Sequence, residues 1–429
     1  MNKTIKLVSK KIDVILRNDL IPFLKNKNFN SYKYSLSEPI YDNKELSSAI
    51  ESLISLNISS GKKVRIFEEN FAKYIGCKYA VAVNSGSSAN LISLASLIER
   101  HNIKRGDEVI IPASTFATVA MPIIQLGLKP VFVDIDLNNL NISVEKIKKA
   151  ISNRTKIIMP VHTLGYPCDM KNIIEIAKKK NILIFEDCCE AHGAAINKKK
   201  VGSFGDISAF SFFVAHNITT GEGGMILTND KKLFEIAKSL REFGRIKLSS
   251  LKITQRFYTD KKLKDYDKRY VFQRLGYNFR MTDVAASLGI EQLKKLNKFN
   301  IQRRNNANLI TDLIVKKFNK YFINFKYNKN YTHSYYTYAF LLKKNINFSR
   351  KDICVFLEKN GIETRPLFAG CLPDQPAFVN KKIKVLDLFS SRYVKENLFF
   401  IGVHPKINYK NIDYLSKKIE SFLIKFDEK

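Results

Sequence analysis

Three short stretches hold residues whose types and spacing suit chemistry. Asn84-Ser85-Gly86-Ser87-Ser88-Ala89-Asn90 stands between an apolar run of strand length, YAVAVN, and a helical pattern. The hydroxyls of Ser87 and Ser88, with backbone N–H groups from Gly86 onward, would converge where a helix dipole favours an anion. A phosphate fits there; so does an ordinary serine N-cap. Ile184-Phe185-Glu186-Asp187 ends another apolar run, and in open α/β sheets the carboxyl ends of strands line the ligand crevice. Asp187 then faces a ligand that is cationic or donates hydrogen bonds, or else it caps the next helix. In the third stretch, Ser211 to Gly224, His216 is a side chain able to take and return protons near neutral pH. By type alone it reads equally well as a structural histidine.

An alternation of apolar runs and helical patterns must position these residues. YAVAVN, EVIIP, PVFVDI, KIIMPV and ILIFED have strand length, and VEKIKKAI and NIIEIAKKK between them have helical spacing. That order predicts parallel strands with helices on both faces, an α/β fold. ISAFSFF is a further strand, and the paired glycines and NDKK ending of GEGGMILTND read as a hairpin-like turn between two strands. A long helical stretch from TDVAASLGIEQ to NLITDLI leads out of this region, and SYYTYAFLLKK, SRKDICVFLEKNG and IETRPLFAG then read as strand, helix, strand. The expected organisation is a lead-in over 1–40, a large α/β domain over 41–300 and a small α+β domain over 301–429.

With 45% hydrophobic and 26% charged residues in 429, the chain has ordinary globular usage and length for a large core. No stretch approaches the ~20 apolar residues of a membrane span, and the basic start of the chain returns to charged residues too soon for a secretory signal. A soluble, cytoplasmic protein with no membrane partner is expected. The six cysteines lack framework spacing, so no structural disulfides are expected. The net charge of +32 invites a nucleic-acid reading, but the lysines are dispersed along helices and loops instead of forming one basic tail. No nucleic-acid partner is expected; the positive field suits an anionic small molecule.

From about Tyr41 to the C-terminus the chain resembles the sugar aminotransferase and dehydratase family of fold type I, the DegT/DnrJ/EryC1/StrS family, whose enzymes use vitamin B6. The strings SGSSAN, PASTF, PVFVDID, PVHTLG, EDCCEAHGA, GDISAFSFF, TTGEGG, GYNFRMTD and TRPLFAG occur here in the family's order. The resemblance implies a mainly parallel sheet flanked by helices with a smaller C-terminal α+β domain, and a bound pyridoxal or pyridoxamine phosphate. Gly86, Ser87, Ser88 and Ser211 would hold the cofactor phosphate, joined by Asn278 from a second subunit of a homodimer. Phe116 would stack on the pyridine ring, Asp187 would pair with its nitrogen, and Glu190 would lie near its 3-hydroxyl. On type alone, Phe116 is also a plausible core aromatic and Asn278 a turn residue.

Family aminotransferases carry, where His216 stands, a lysine that bonds covalently to the cofactor. Histidine there resembles the branch that removes the C3 hydroxyl of nucleotide-linked 4-keto-6-deoxy sugars, with His216 as base and then acid. One type in this branch uses an iron–sulfur cluster, which takes four thiolates. The insertion Phe243 to Tyr277, where three of its cysteines belong, contains none. The other type, resembled through Glu190 and Phe213, takes its amino group from L-glutamate, prefers GDP sugars and needs no cluster. Neither a cluster nor another metal site is expected. Arg365 is a candidate carboxylate or substrate contact, or a surface arginine before proline. The alternatives are an aminotransferase served by another lysine, and a basic non-catalytic binding protein on the same scaffold.

Overall fold

In a computed structural model of the chain, residues 3–22, 31–246, 266–379 and 383–427 are described. Strands β1 (Tyr79–Val83), β2 (Glu108–Pro112), β3 (Lys129–Val133), β4 (Thr155–Ile158) and β5 (Leu183–Asp187) arise from the five apolar runs, each followed by a helix or turn. The short pair β6 (Ala195–Ile196) and β7 (Lys199–Lys200) precedes β8 (Ile207–Ser211) and β9 (Gly224–Thr228). Completing the set are β10 (Tyr331–Thr332), β11 (Tyr338–Leu341), β12 (Arg365–Pro366), β13 (Lys384–Val385) and β14 (Leu398–Ile401).

Eight strands form one sheet in the order β1-β9-β8-β5-β4-β2-β3-β13. β9 runs antiparallel to both neighbours, and the other pairings are parallel. Both faces are covered, as the continuous apolar runs require. On one face Val81, Val83, Val109, Ile111, Phe185 and Ile226 pack against Ile92, Leu97 and Ile123 from the helices Gly86–His101 and Ala117–Gln125. On the other, Ala80, Ala82, Phe210 and Met225 meet Phe67 and Phe71 of the helix Lys62–Ile75, and Ile110, Val131 and Ile184 meet Ile147 and Ile173. Each fully buried Val, Leu, Ile, Phe or Met side chain among them contributes ~1.5–3 kcal/mol.

The hairpin expectation needs correction. β8 and β9 do pair, but through a long connection over 212–223 that carries His216, and not through a turn inside GEGGMILTND. Asp230 of that string caps the helix Lys231–Arg241, its carboxylate accepting from the Lys232 and Leu233 N–H groups. The long helix runs from Asp283 to Ile310. Beyond it, β11, β14 and β12 make an antiparallel sheet whose central strand, β14, was not foreseen. Residues of the expected lead-in join this second layer: Tyr34 is buried in its core and bridges to Ile362. No described helix is long and apolar enough to cross a membrane.

Candidate functional site

β1 delivers the chain to Ser85, the N-cap of the helix Gly86–His101; its Oγ accepts from Ser88 N–H at 3.1 Å. Ser87 is exposed at the helix mouth, while Gly86 and Ser88 are buried. Ser211, at the end of β8, closes the cradle from the side: a Cβ on Gly86 would lie 2.5 Å from Ser211 Cβ, so only glycine permits the approach. Free helix N–H groups, the helix dipole and serine hydroxyls thus meet in one place, the donor set an anionic phosphate requires. Ser85 does the capping, which leaves the donors of Gly86 and Ser87 for an anion.

Asp187 ends β5, 4% exposed. Its Oδ2 accepts from Asn90 Nδ2 at 2.9 Å and its Oδ1 from Cys189 N–H at 3.0 Å. Among the described residues no cation pairs with it; the donors to this buried carboxylate, the Cys189 thiol included, are neutral. A protonated ring nitrogen suits that vacancy in charge. Asn90, which sequence reasoning left unassigned, holds this carboxylate; its signal was its place one turn into the helix that opens at Gly86. Phe116, N-cap residue of Ala117–Gln125, keeps its ring 54% exposed against the edge of Phe368, at 6.1 Å between centroids, although Ala113, Ser114 and Thr115 before it are buried. An exposed phenyl on the cleft rim suits a ring-stacking role better than a core one.

Glu190 lies buried after Asp187, and Leu164 N–H donates to its Oε2 at 2.6 Å. Burial pushes its carboxyl up to about 8, opposed by the Leu164 hydrogen bond and reinforced by the charge of Asp187. A carboxyl so raised favours its protonated form near neutrality, which has an O–H to donate. His216 sits in the β8–β9 connection, its N–H bonded to Phe213 O at 3.0 Å and its ring 5.1 Å from that of Tyr336. Desolvation, aided by the Arg303 guanidinium, pulls its imidazole down to about 3, so without ligand the ring is neutral. The small cavity behind it is lined by Glu38, Asn217, Gln292 and Arg303 among others, and by no lysine.

Two expected residues stand apart. Asn278 is exposed, accepting from Arg280 Nε at 3.1 Å, on a surface segment that bridges to Glu242. Arg365 is exposed on β12, where Glu363 holds its guanidinium at 2.7 Å. Of the insertion Phe243 to Tyr277, residues 247–265 lie outside the described residues. His162, Glu186 and Cys188 cluster in the core, but Glu186 is already occupied by His162 and by the N–H groups of Gly202, Phe204 and Gly205.

The chain is similar to a dTDP-4-dehydro-2,6-dideoxy-D-glucose 3-dehydratase of Saccharopolyspora spinosa, 36% identical over 91% of this chain and 86% of that protein. A GDP-4-keto-6-deoxy-D-mannose 3-dehydratase of Escherichia coli O55:H7 is 34% identical over 90% of this chain and 99% of its own. A crystal structure of GDP-4-keto-6-deoxymannose-3-dehydratase with a trapped PLP-glutamate geminal diamine superposes with a TM-score of 0.82 at 34% identity, covering 90% of this chain and all of that one. Residues 39–420 match the family as a whole, and in keeping with the mainly parallel sheet the chain belongs to the DegT/DnrJ/EryC1/StrS aminotransferase family.

Proposed function

We propose that this enzyme is a pyridoxal/pyridoxamine phosphate-dependent 3-dehydratase of a nucleotide-linked, GDP-favoured 4-keto-6-deoxy sugar. L-glutamate is the amino donor; the products are the 4-keto-3,6-dideoxy sugar, 2-oxoglutarate and ammonia. The observation that carries the reading is His216, an imidazole where the family's aminotransferases carry their lysine, within a cleft whose other features are intact. The similar E. coli protein named for a GDP sugar, and its relative's structure with PLP and glutamate, support the choice of cofactor, donor and nucleotide.

Bound pyridoxamine phosphate supplies an amine that reacts with a sugar ketone and a ring that takes up electrons. Gly86, Ser87, Ser88 and Ser211 bind its phosphate, Asp187 keeps the ring nitrogen protonated, and Phe116 covers the ring. Glu190, neutral at working pH, donates a hydrogen bond. His216, having no covalent duty, moves the proton: its imidazole receives one and delivers it to the C3 hydroxyl, which leaves as water. Asn278, exposed on its surface segment, completes the phosphate site of a second copy in a homodimer. No iron–sulfur cluster enters, because Cys188 and Cys189 are two thiols where four are needed, and Cys188 is sealed in the core.

The test is incubation with L-glutamate and GDP-, CDP- and dTDP-linked 4-keto-6-deoxy sugars, read by mass spectrometry. A product lighter by one oxygen, with 2-oxoglutarate, is expected; an amino sugar as sole product would overturn the reading.

A further inference from the structure

The cavity behind His216 has a volume of about 10 Å³ and is walled by Glu38, Pro39 and Ile40, by His216, Asn217 and Thr219, by Gln292, Phe299 and Arg303 of the long helix, and by Pro405. By this measure it has room for about one water. Three of its wall residues bring buried polar atoms with no hydrogen-bond partner among the described residues: His216 Nδ1, Asn217 Oδ1 and Arg303 Nε. Arg303 and Asn217 are 4% and 3% exposed. Leaving three such atoms unpaired is costly, and all three belong to residues that wall the same small space, which suits a polar ligand there.

The roles of two of the atoms are fixed. Asn217 Nδ2 donates to Asn300 Oδ1 at 2.8 Å and to Ser334 O at 2.9 Å, so its Oδ1 is an acceptor only. Arg303 Nη1 donates to Tyr335 O at 3.2 Å and Tyr336 O at 2.8 Å, which leaves Nε–H as a donor aimed elsewhere. A water accepts from Nε–H, donates to Oδ1, and retains one hydrogen and one lone pair for the imidazole. We infer that Arg303 is a positioning residue for His216: through a water shared with Asn217 it engages Nδ1, leaves Nε2 as the atom that exchanges protons, and by its fixed charge resists a second proton on the ring. The inference rests on the dehydratase reading only for its consequence in catalysis.

Other groups that face the ring are accounted for. His192, 5.8 Å away between centroids, is itself kept neutral by burial, and Tyr336 has its phenol pushed up by burial and by Glu190. Glu38 across the cavity is paired with Lys406. Among the described residues no carboxylate pairs with Arg303, so its charge is uncompensated next to the imidazole.

The test is an NMR pH titration of His216 in cofactor-free protein, assigned with His216→Asn, for the native enzyme, Arg303→Gln and Arg303→Lys. The native midpoint is expected well below the ordinary 6.5 of histidine, with Arg303→Gln raising it by about one pH unit or more and Arg303→Lys, which keeps the charge, leaving it low. A native midpoint at or above 6.5 overturns the inference whether or not the variants fold, and so does an equal shift in both variants. A crystal structure with the cavity filled by a side chain would remove the water. The acid limb of kcat/KM should follow the same order. Failure of the native enzyme to make any 3-deoxy product would instead count against the dehydratase reading, since the titration does not depend on turnover.

Discussion

Asn90 Nδ2 holds Asp187 Oδ2 at 2.9 Å, which joins the helix that opens the phosphate cradle to the strand end that carries the buried carboxylate. The two halves of the proposed cofactor site are therefore registered by one amide. Asp187→Asn removes the charge that a protonated ring nitrogen needs. It should weaken cofactor retention at least about tenfold and turnover by about a hundredfold. Absorbance of protein after gel filtration, and initial rates with excess pyridoxamine phosphate, read the two effects separately.

His216 is tested from two sides. His216→Asn should leave cofactor binding nearly intact and lower dehydration by about 10²–10⁴-fold, the usual worth of a proton-transfer group. His216→Lys should gain a mass increase from borohydride-trapped cofactor that the native enzyme lacks, and should lose dehydration. Native rates in His216→Asn would remove the imidazole from the mechanism.

The raised carboxyl of Glu190 makes stability depend on pH. Its folded pKa, about 8, lies above the ordinary 4.5, so the folded state holds a proton that the unfolded chain releases. Stability from this group is full below about 4.5 and is lost as pH rises toward 8. In urea unfolding of cofactor-free protein, the native enzyme should lose roughly 1–3 kcal/mol relative to Glu190→Gln between pH 5 and 8. Parallel curves would mean that Glu190 is ionised in the cleft.

Gly86→Ala forces a Cβ to within 2.5 Å of Ser211 Cβ, and overpacking of this kind costs about 1–3 kcal/mol. A lowered melting temperature and weaker pyridoxamine phosphate binding are expected. Ser87→Ala, at an exposed position, should weaken binding while leaving the melting temperature of cofactor-free protein unchanged.

If Asn278 serves a neighbouring subunit's phosphate, light scattering gives a dimer and active sites are shared. Mixed dimers of His216→Asn with Asn278→Ala then contain one site with both native residues. They should exceed the mean activity of the two parents. A fully active monomer rejects the arrangement.

Strands β1 to β5 and β8 of the large sheet were legible because each is an apolar run closed by a turn or a helix cap, and the strand-end placing of Ser85 to Ser88 and Asp187 followed from the same logic. The edge strand β13, two residues of Lys384–Val385, has no apolar run to announce it. β14 escaped notice because Leu398–Ile401 follows directly on a helix, with no turn residue between Asn397 and Leu398 to mark the change of period. The β8–β9 connection was misread because glycines at 221, 223 and 224 look like a tight turn, whereas Gly224 sits against the Ser85 carbonyl, where a Cβ would come within 2.2 Å. Asn217 and Arg303 gave no sequence signal of a role. Their meaning lies in which atoms remain unpaired after folding, and spacing along a chain does not carry that.

Tyr34 donates through its hydroxyl to Gly402 O, Ser35 meets His404, and a Cβ on Gly402 would strike the Ser35 carbonyl at 2.3 Å. These contacts join positions 368 and 369 apart in sequence, and Pro39 and Pro405 from the same two segments wall the space behind His216. During synthesis the surroundings of the histidine therefore stay open until the ribosome has released residue 405 and this long loop has closed, so a nascent chain whose β1, β5 and β8 strand ends are already in place still lacks the wall behind His216.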